Sequence, residues 1–273
     1  MEQTKRRNPI ISFLLSIVLP GLGHVYNGHL GEGILFHFGL WLLVFVMGLS
    51  GLVFSLRGLI CIIAVASVCP ILIASHAAIE ASRLKEARLK WYNKWYVYCC
   101  LVLLANTALA PVIIKGQHDV LRVRAFKESS VSMIPTLEQA DHLVAKWEGY
   151  GDRLPGRGDI VIFPYPEDRS KDFVKRVIGL PGERIEIKDK VVFINGKRLE
   201  DPWGVHFDST KIVARDNCGP VDIPEGAVFV LGDNRDFSHD SRFWGDVKIK
   251  DIEGKAIYIY WSNDLNRIGK HLD

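Results

Sequence analysis

Residues 219–242 read GPVDIPEGAVFVLGDNRDFSHDSR, and they combine two features of the second half of this chain. The segment AVFVLGD (227–233) is a short apolar run that ends in a turn signal, a pattern typical of a β-strand. The segment GDNRDFSHDSRFWGDV (232–247) is dense in short polar groups. This stretch therefore predicts a buried strand followed directly by a polar loop.

The rest of the chain after residue 115 repeats the strand pattern. Further runs with strand character are RGDIVIF (157–163), RIEIKDKVVFINGK (184–197) and KAIYIYW (255–261). The pair Asn195-Gly196 separates two apolar stretches and predicts a two-residue hairpin turn. No long amphipathic helix is visible. We therefore expect a mostly antiparallel β domain over residues 116–273.

Two other stretches contain groups capable of nucleophilic chemistry. Ser132 lies in SVSMIPTL (130–137), and Lys175 lies in FVKRVIGLPGE (173–183). A serine nucleophile needs a base, and an ordinary lysine with a pKa of about 10.4 is protonated at neutral pH. The apolar neighbours of Lys175 would desolvate its amine and lower its pKa. Local sequence alone leaves two alternatives open, a turn serine and a solvated strand lysine.

The three stretches, with RGDIVIF between them, resemble the sequence boxes of bacterial type I signal peptidase. The boxes occur in the same order, and the resemblance covers residues 126–270, including a closing NRIG at 266–269. It implies a membrane-bound serine endopeptidase that removes signal peptides from exported preproteins, cutting after small residues at −1 and −3. No cofactor and no metal is implied.

The resemblance also implies roles for individual residues. Ser132 would be the nucleophile and Lys175 the general base. Ser130 would form the oxyanion hole with the Ser132 backbone N–H, and Ser238 would position the lysine amine. Four residues match positions that line the substrate pockets: Met133, Leu137, Phe173 and Val174.

The polar loop contributes a structural pair and one departure from the family pattern. Asp240 and Arg242 match an ion pair that holds the site together. Phe237 replaces an asparagine that is common in the GDNRDNS box. His239 raises a Ser/His mechanism as an alternative, but relatives that use histidine have it where this chain has Lys175, so we expect His239 to be a bystander.

The first half of the chain is apolar and predicts a membrane region over residues 1–115. The runs 33–56, 58–79 and 95–114 contain no Asp, Glu, Lys or Arg, and each is about 20 residues or longer, enough for a spanning helix. Residues 9–27 are interrupted by PGLGHVYNG, which favours a re-entrant or interfacial segment. The basic residues between 83 and 94 predict a cytoplasmic loop. The expected location is therefore multi-pass in the bacterial cytoplasmic membrane, with the catalytic domain outside.

Composition limits the possible binding partners and helps to separate the alternative functions. A net charge of +3 gives no indication of a nucleic-acid partner, which leaves signal peptides and the lipid bilayer. Only Cys218 of the five cysteines lies in the polar half, so no intrachain disulfide is expected there. A self-cleaving repressor protease shares the order of serine and lysine but not the membrane runs. A silent membrane scaffold would be expected to have lost Ser132 or Lys175.

Overall fold

The structure, a computed structural model, describes residues 4–84, 87–147, 150 and 154–272. The chain divides into two compact units, Met1–Leu121 and Arg122–Asp273. The division lies beyond residue 115 because the last helix of the first unit continues to Leu121.

The first unit is helical. Its helices are α1 (Pro9–Val18), α2 (Leu22–Asn27), α3 (Leu30–Leu49), α4 (Leu56–Arg83), α5 (Trp95–Leu104) and α6 (Ala110–Leu121). A π-helical segment, Ala105–Leu109, joins α5 to α6, and a short antiparallel pair is formed by β1 (Thr4–Lys5) and β2 (Ala87–Arg88). Among the described residues, three helical segments are long and apolar enough to cross a bilayer: Leu30–Leu49, Leu56–Arg83 and Trp95–Val112.

The segment 9–27 is broken in its middle, as the Pro-Gly pair predicts. The break between α1 and α2 contains Gly21 at φ +90, and a Cβ there would lie only 2.1 Å from the Gly33 carbonyl oxygen. Helix α1 packs on α4 through a small buried side chain, since the Ser12 hydroxyl donates to the Ala77 carbonyl at 3.0 Å. The helix from the run 33–56 ends earlier than the run itself, because Gly51 at φ +81 starts a separate 3₁₀ turn.

The second unit is built on two antiparallel sheets. Its strands are β3 (Val123–Lys127), β4 (His142–Lys146), β5 (Ile160–Tyr165), β6 (Asp168–Gly179), β7 (Arg184–Lys188), β8 (Val191–Ile194), β9 (Lys197–Arg198), β10 (Cys218–Asp222), β11 (Ala227–Leu231), β12 (Val247–Lys248) and β13 (Gly254–Trp261). Two one-turn helices, α7 (Val213–Asp216) and α8 (Ser241–Trp244), interrupt them. The larger sheet has the order β12-β11-β6-β5-β13-β4-β3, and the smaller has β10-β7-β8-β9. The predicted fold class, apolar helices followed by a mostly antiparallel β domain, is confirmed.

The hairpin predicted at Asn195-Gly196 is present. Ile194 pairs with Lys197 across it, and both turn residues have positive φ, +51 and +76, as a type I′ turn requires. Strands β3 and β4 were not anticipated from the sequence. β3 lies at the edge of the sheet and is largely exposed, so its sequence shows little of the apolar alternation that marks a strand.

Candidate active site

The structure places Ser132 and Lys175 side by side. The Lys175 Nζ lies 2.8 Å from the Ser132 Oγ, and the two residues are 4% and 5% exposed. Lys175 is supplied by β6, a strand inside the larger sheet, whereas Ser132 lies in the loop between β3 and β4. A tertiary contact between two distant segments therefore brings the Ser132 hydroxyl and the Lys175 amine within hydrogen-bond distance.

Burial gives this amine the character of a base. Desolvation lowers the pKa of Lys175, and the negative charges of Asp240, Glu128 and Asp233 only partly oppose the shift. The amine also lies 3.0 Å from the Val174 carbonyl oxygen. A lysine held in this way loses its proton at a lower pH than a solvated one, so its lone pair becomes available to the neighbouring hydroxyl.

Ser130 lies directly beside the pair. Its Oγ is 2.8 Å from the Ser132 Oγ, and it accepts a bond of 3.2 Å from the Ser132 backbone N–H. The Ser130 backbone N–H donates to the buried Glu128 carboxylate at 2.7 Å, which fixes the start of the loop. Two donors suited to a developing oxyanion, the Ser130 hydroxyl and the Ser132 N–H, therefore converge here.

Ser238 is close to the site, but the structure does not show it bonded to the lysine. Its Oγ is buried and has no hydrogen-bond partner among the described residues. A Cβ on Gly232 would lie 2.2 Å from this Oγ and 2.4 Å from the Ser132 carbonyl oxygen, so the three groups are tightly packed. The site therefore contains a buried hydroxyl with an unused donor and acceptor.

The polar loop holds the backbone of Ser132 in place. The Asn234 N–H donates to the Ser132 carbonyl at 3.1 Å, and its side-chain amide donates to the Val131 carbonyl at 3.0 Å. Position 232 requires glycine because a side chain there would keep the polar loop from approaching Ser132. The strand and loop of residues 227–242 thus provide the residues that fix the backbone around Ser132.

Arg176 and Asp233 form a buried ion pair that sequence reasoning missed. Two bonds join them, from Nε to Oδ1 at 2.8 Å and from Nη2 to Oδ2 at 2.7 Å, with both residues at most 1% exposed. Because successive strand residues point to opposite faces, Arg176 faces away from Lys175 and ties β6 to the polar loop. Two sequence features could have indicated this pair: Arg176 lies within one apolar strand, and Asp233 lies just after another apolar strand.

Asp240 and Arg242 form the predicted ion pair. Arg242 donates to both carboxylate oxygens, at 2.8 and 2.9 Å, and Asp240 is fully buried. Asp240 also accepts from the Gly232 N–H at 3.1 Å, and Arg242 donates to the Arg235 carbonyl at 2.7 Å. These bonds brace the turn that contains Ser238.

A second pair explains the closing NRIG motif. Arg267 donates to the buried Asp141 carboxylate at 2.6 Å and to the Thr136 carbonyl at 2.9 Å. It therefore anchors the loop that follows Ser132. The sequence around NRIG gives no local signal for this role of Arg267.

His239 lies away from Ser132. Its side chain is exposed, its Nε2 is 3.1 Å from the Tyr165 hydroxyl, and its ring stacks on Phe243. Nothing in the described part of the chain links it to Ser132. The geometry favours Lys175 as the base.

The predicted pocket residues separate into two groups. Met133 and Leu137 have no exposed surface and belong to a core cluster with Leu143 and Ile160. They are drawn into the core because the loop after Ser132 packs on the sheet. Phe173 and Val174 are half-buried and remain beside Lys175. The predicted pocket role of these four residues stays a prediction.

The chain was compared with known proteins. A family model described as signal peptidase, peptidase S26, matches residues 97–261. Signal peptidase I of Bacillus caldolyticus is 34% identical over 176 residues, 61% of this chain and 88% of that protein. Signal peptidase I of Leptolyngbya laminosa is 38% identical over 149 residues, 52% of this chain and 69% of that protein. A solved signal peptidase I from Enterococcus faecalis V583 is 36% identical, with coverage of 37% of this chain and 95% of that chain and a TM-score of 0.32.

The family match spans more than half of the chain and includes every residue of the site described above except Arg267, which lies beyond the matched range. The relatives are named as type I signal peptidases, and the apolar helices of the first unit fit a membrane anchor. The chain therefore belongs to the signal peptidase family S26, as a membrane-anchored serine peptidase of the type I class that cleaves signal peptides.

Proposed function

We propose that Ser132 and Lys175 are the catalytic dyad of this peptidase. The observation that carries the proposal is the 2.8 Å contact between the Lys175 Nζ and the Ser132 Oγ in a site where both residues are buried. Neutral Lys175 takes the proton of Ser132 as its oxygen attacks the scissile carbonyl. The protonated amine then returns that proton to the leaving nitrogen, and a water molecule hydrolyses the acyl-enzyme.

The oxyanion that forms on attack is stabilised by two donors. The Ser130 hydroxyl and the Ser132 backbone N–H contact each other at 3.2 Å in the free site. Both turn towards the oxyanion when the substrate carbonyl arrives, and such donors act most strongly in the transition state.

An open sheet edge beside Lys175 supports the binding of an extended substrate. Strand β11 ends at Leu231, opposite Arg176, whereas β6 continues back to Asp168. Within the described sheets, residues 172–175 of β6 therefore pair only on the β5 side. A signal peptide can add to this edge as a strand, with alternate side chains directed towards the protein.

We infer a preference for small residues at −1 and −3. The half-buried Phe173 and Val174 lie along this edge, and the fully buried Met133 and Leu137 form a close-packed floor beneath the Ser132 loop. A floor without open space excludes large side chains by steric clash. This exclusion discriminates more strongly than the 1–3 kcal/mol that a missing methylene provides.

The test is cleavage of a labelled preprotein by the purified full chain in detergent, followed by N-terminal sequencing of the product. We expect one cut after the −1 residue, and Ala→Phe substitutions at −1 or −3 should each abolish it. Ala→Phe at −2 is the matched control and should be tolerated, because −2 faces the opposite side of an extended strand. Cleavage that is indifferent to residues −1 and −3 would contradict the specificity.

We also propose a multi-pass topology in the bacterial cytoplasmic membrane with the catalytic unit outside. The basic residues between 83 and 94 support it. In a cysteine-free background, Lys94→Cys should be protected from a membrane-impermeant thiol reagent in intact cells, and Asp189→Cys should react. Both positions are exposed, so burial does not account for a difference. Labelling of Lys94→Cys with protection of Asp189→Cys would invert the topology.

His239→Ala is expected to retain most activity. The imidazole bonds to Tyr165 and stacks on Phe243, so its removal affects an exposed contact and not the dyad. The check is kcat/KM on the labelled preprotein, with His142→Ala as the matched control in the same unit. A loss as large as that of Ser132→Ala would instead indicate a Ser/His mechanism.

A further inference from the structure

A cluster of histidine and glutamate side chains lies in the helical unit, separate from the dyad. His24 is supplied by α2, Glu32 by the first turn of α3, and Glu80 by the last part of α4. One imidazole nitrogen of His24 and one carboxylate oxygen of each glutamate lie within 4.8 Å of one another. The three residues are far apart in the chain, so the sequence alone does not predict this cluster.

His24 is the most informative member. The residue is fully buried, and its Nδ1 has no hydrogen-bond partner among the residues that the structure describes. Its Nε2 lies 2.9 Å from the Nδ1 of His76. A buried polar atom without a partner is costly, so the free Nδ1 points to a ligand.

The pairing with His76 prepares that nitrogen for a metal ion. When the His24 Nε2–H donates to the His76 Nδ1, the proton of the neutral ring is on Nε2 and the lone pair is on Nδ1. Histidines that bind metals commonly have their second nitrogen fixed by such an outer partner. His76 therefore acts as the positioning residue and His24 as the ligand.

The two carboxylates lie close together beside an imidazole. Glu80 is the less exposed, with 17% of its side chain accessible, and accepts a 2.7 Å bond from the Asn27 amide. The His29 Nδ1 contacts Glu80 and lies 3.7 Å from Glu32, so this imidazole adjoins both carboxylates. Because these groups converge from three elements, a cation here would offset their repulsion and tie the elements together.

The spacing is compatible with closure around an ion. Ligand atoms at about 2.0–2.2 Å from a tetrahedral Zn²⁺ lie roughly 3.3 Å apart. The present separations of up to 4.8 Å must therefore shrink. Glu32 can provide that movement, since its side chain is 52% exposed and lies at the start of a helix.

We propose that His24, Glu32 and Glu80 bind a divalent transition-metal ion of the Zn²⁺ type, with His29 as the fourth ligand. Mixed imidazole and carboxylate ligands suit Zn²⁺. The ion would fasten α2 and the start of α3 to the end of α4. It takes no part in peptide hydrolysis, so the proposal stands independently of the dyad.

The test measures Zn²⁺ binding by the full chain, purified in detergent with a tag that contains no histidine. Equilibrium dialysis against Zn²⁺ should give about one tightly bound ion per chain. His24→Ala and Glu80→Gln should abolish this tight binding. His76→Ala should weaken it by about 10–100-fold, as expected for an outer partner. The matched control is His37→Ala, which removes a histidine of the same unit outside the cluster and should bind Zn²⁺ like the wild type.

A second variant separates loss of the site from loss of the fold. Glu32→Gln alters a largely exposed side chain, so its helical circular dichroism and its elution from a sizing column should match the wild type. Its Zn²⁺ binding should nevertheless fall, and Co²⁺ substituted in the wild type should show visible absorption that this variant lacks. Equal Zn²⁺ binding by the wild type and Glu32→Gln, or no tight binding by the wild type, would overturn the proposal.

Discussion

Replacement of Lys175 by arginine should abolish signal-peptide cleavage, although the positive charge is retained. A guanidinium does not give up its proton near neutral pH, so Ser132 would have no base. Ser132→Ala and Lys175→Ala should be equally inactive, because the two groups act as one unit 2.8 Å apart. We expect each variant to lose at least about 10⁴-fold in kcat/KM, measured on a labelled preprotein.

The direction of the pH dependence follows from burial of the amine. Desolvation lowers the pKa of Lys175, and only the neutral amine accepts a proton, so kcat/KM should rise as pH increases through that lowered pKa. The midpoint should lie well below the pKa of about 10.4 of a free lysine. Each variant should keep the wild-type elution profile. Substantial activity in Lys175→Arg, or a midpoint near that of free lysine, would contradict the base assignment.

Ser130→Ala should have the next largest effect. Its hydroxyl lies 2.8 Å from the Ser132 Oγ, next to the position that the scissile carbonyl oxygen would occupy when Ser132 attacks. Loss of one such donor commonly lowers kcat by about 10²–10³-fold, or roughly 2.7–4 kcal/mol. KM should change little, because the ground-state carbonyl gains less from the bond. Ser130→Thr retains the hydroxyl and should recover much of the rate.

Ser238→Ala distinguishes an oxyanion donor from a residue that positions the amine. The Ser238 hydroxyl is buried and unbonded among the described residues, so its removal should cost little stability. When the lysine loses its proton, this hydroxyl is available to orient the amine, and its loss should slow cleavage and shift the midpoint of the pH profile. Ser130→Ala should leave that midpoint unchanged. The opposite result, a shifted midpoint in Ser130→Ala alone, would reverse the two roles.

Much of the second unit could be predicted because short-range signals coincide with its elements. The Asn195-Gly196 turn required positive φ at both positions, and the strand at 227–231 was an apolar run bounded by turn residues. Strands such as β3 escaped detection because an exposed edge strand has little apolar pattern to recognise. For Ser132 and Lys175, local pattern left two alternatives open, and only the family resemblance assigned their roles.

Elements that depend on a continuous local property follow directly from the amino-acid sequence. Apolar runs long enough for a bilayer produced long helices, and Pro20 with Gly21 separated α1 from α2. Which distant groups share a buried space depends instead on how the folded chain packs. Packing pairs Arg176 with Asp233 and places His24 beside Glu80. It also buries Met133 in the core and leaves the Ser238 hydroxyl without a hydrogen-bond partner among the described residues. Burial and charge pairing depend on which side chains are close in three dimensions. Packing brings together segments that are far apart in the chain, and the local sequence of each segment does not show which other segment it will contact.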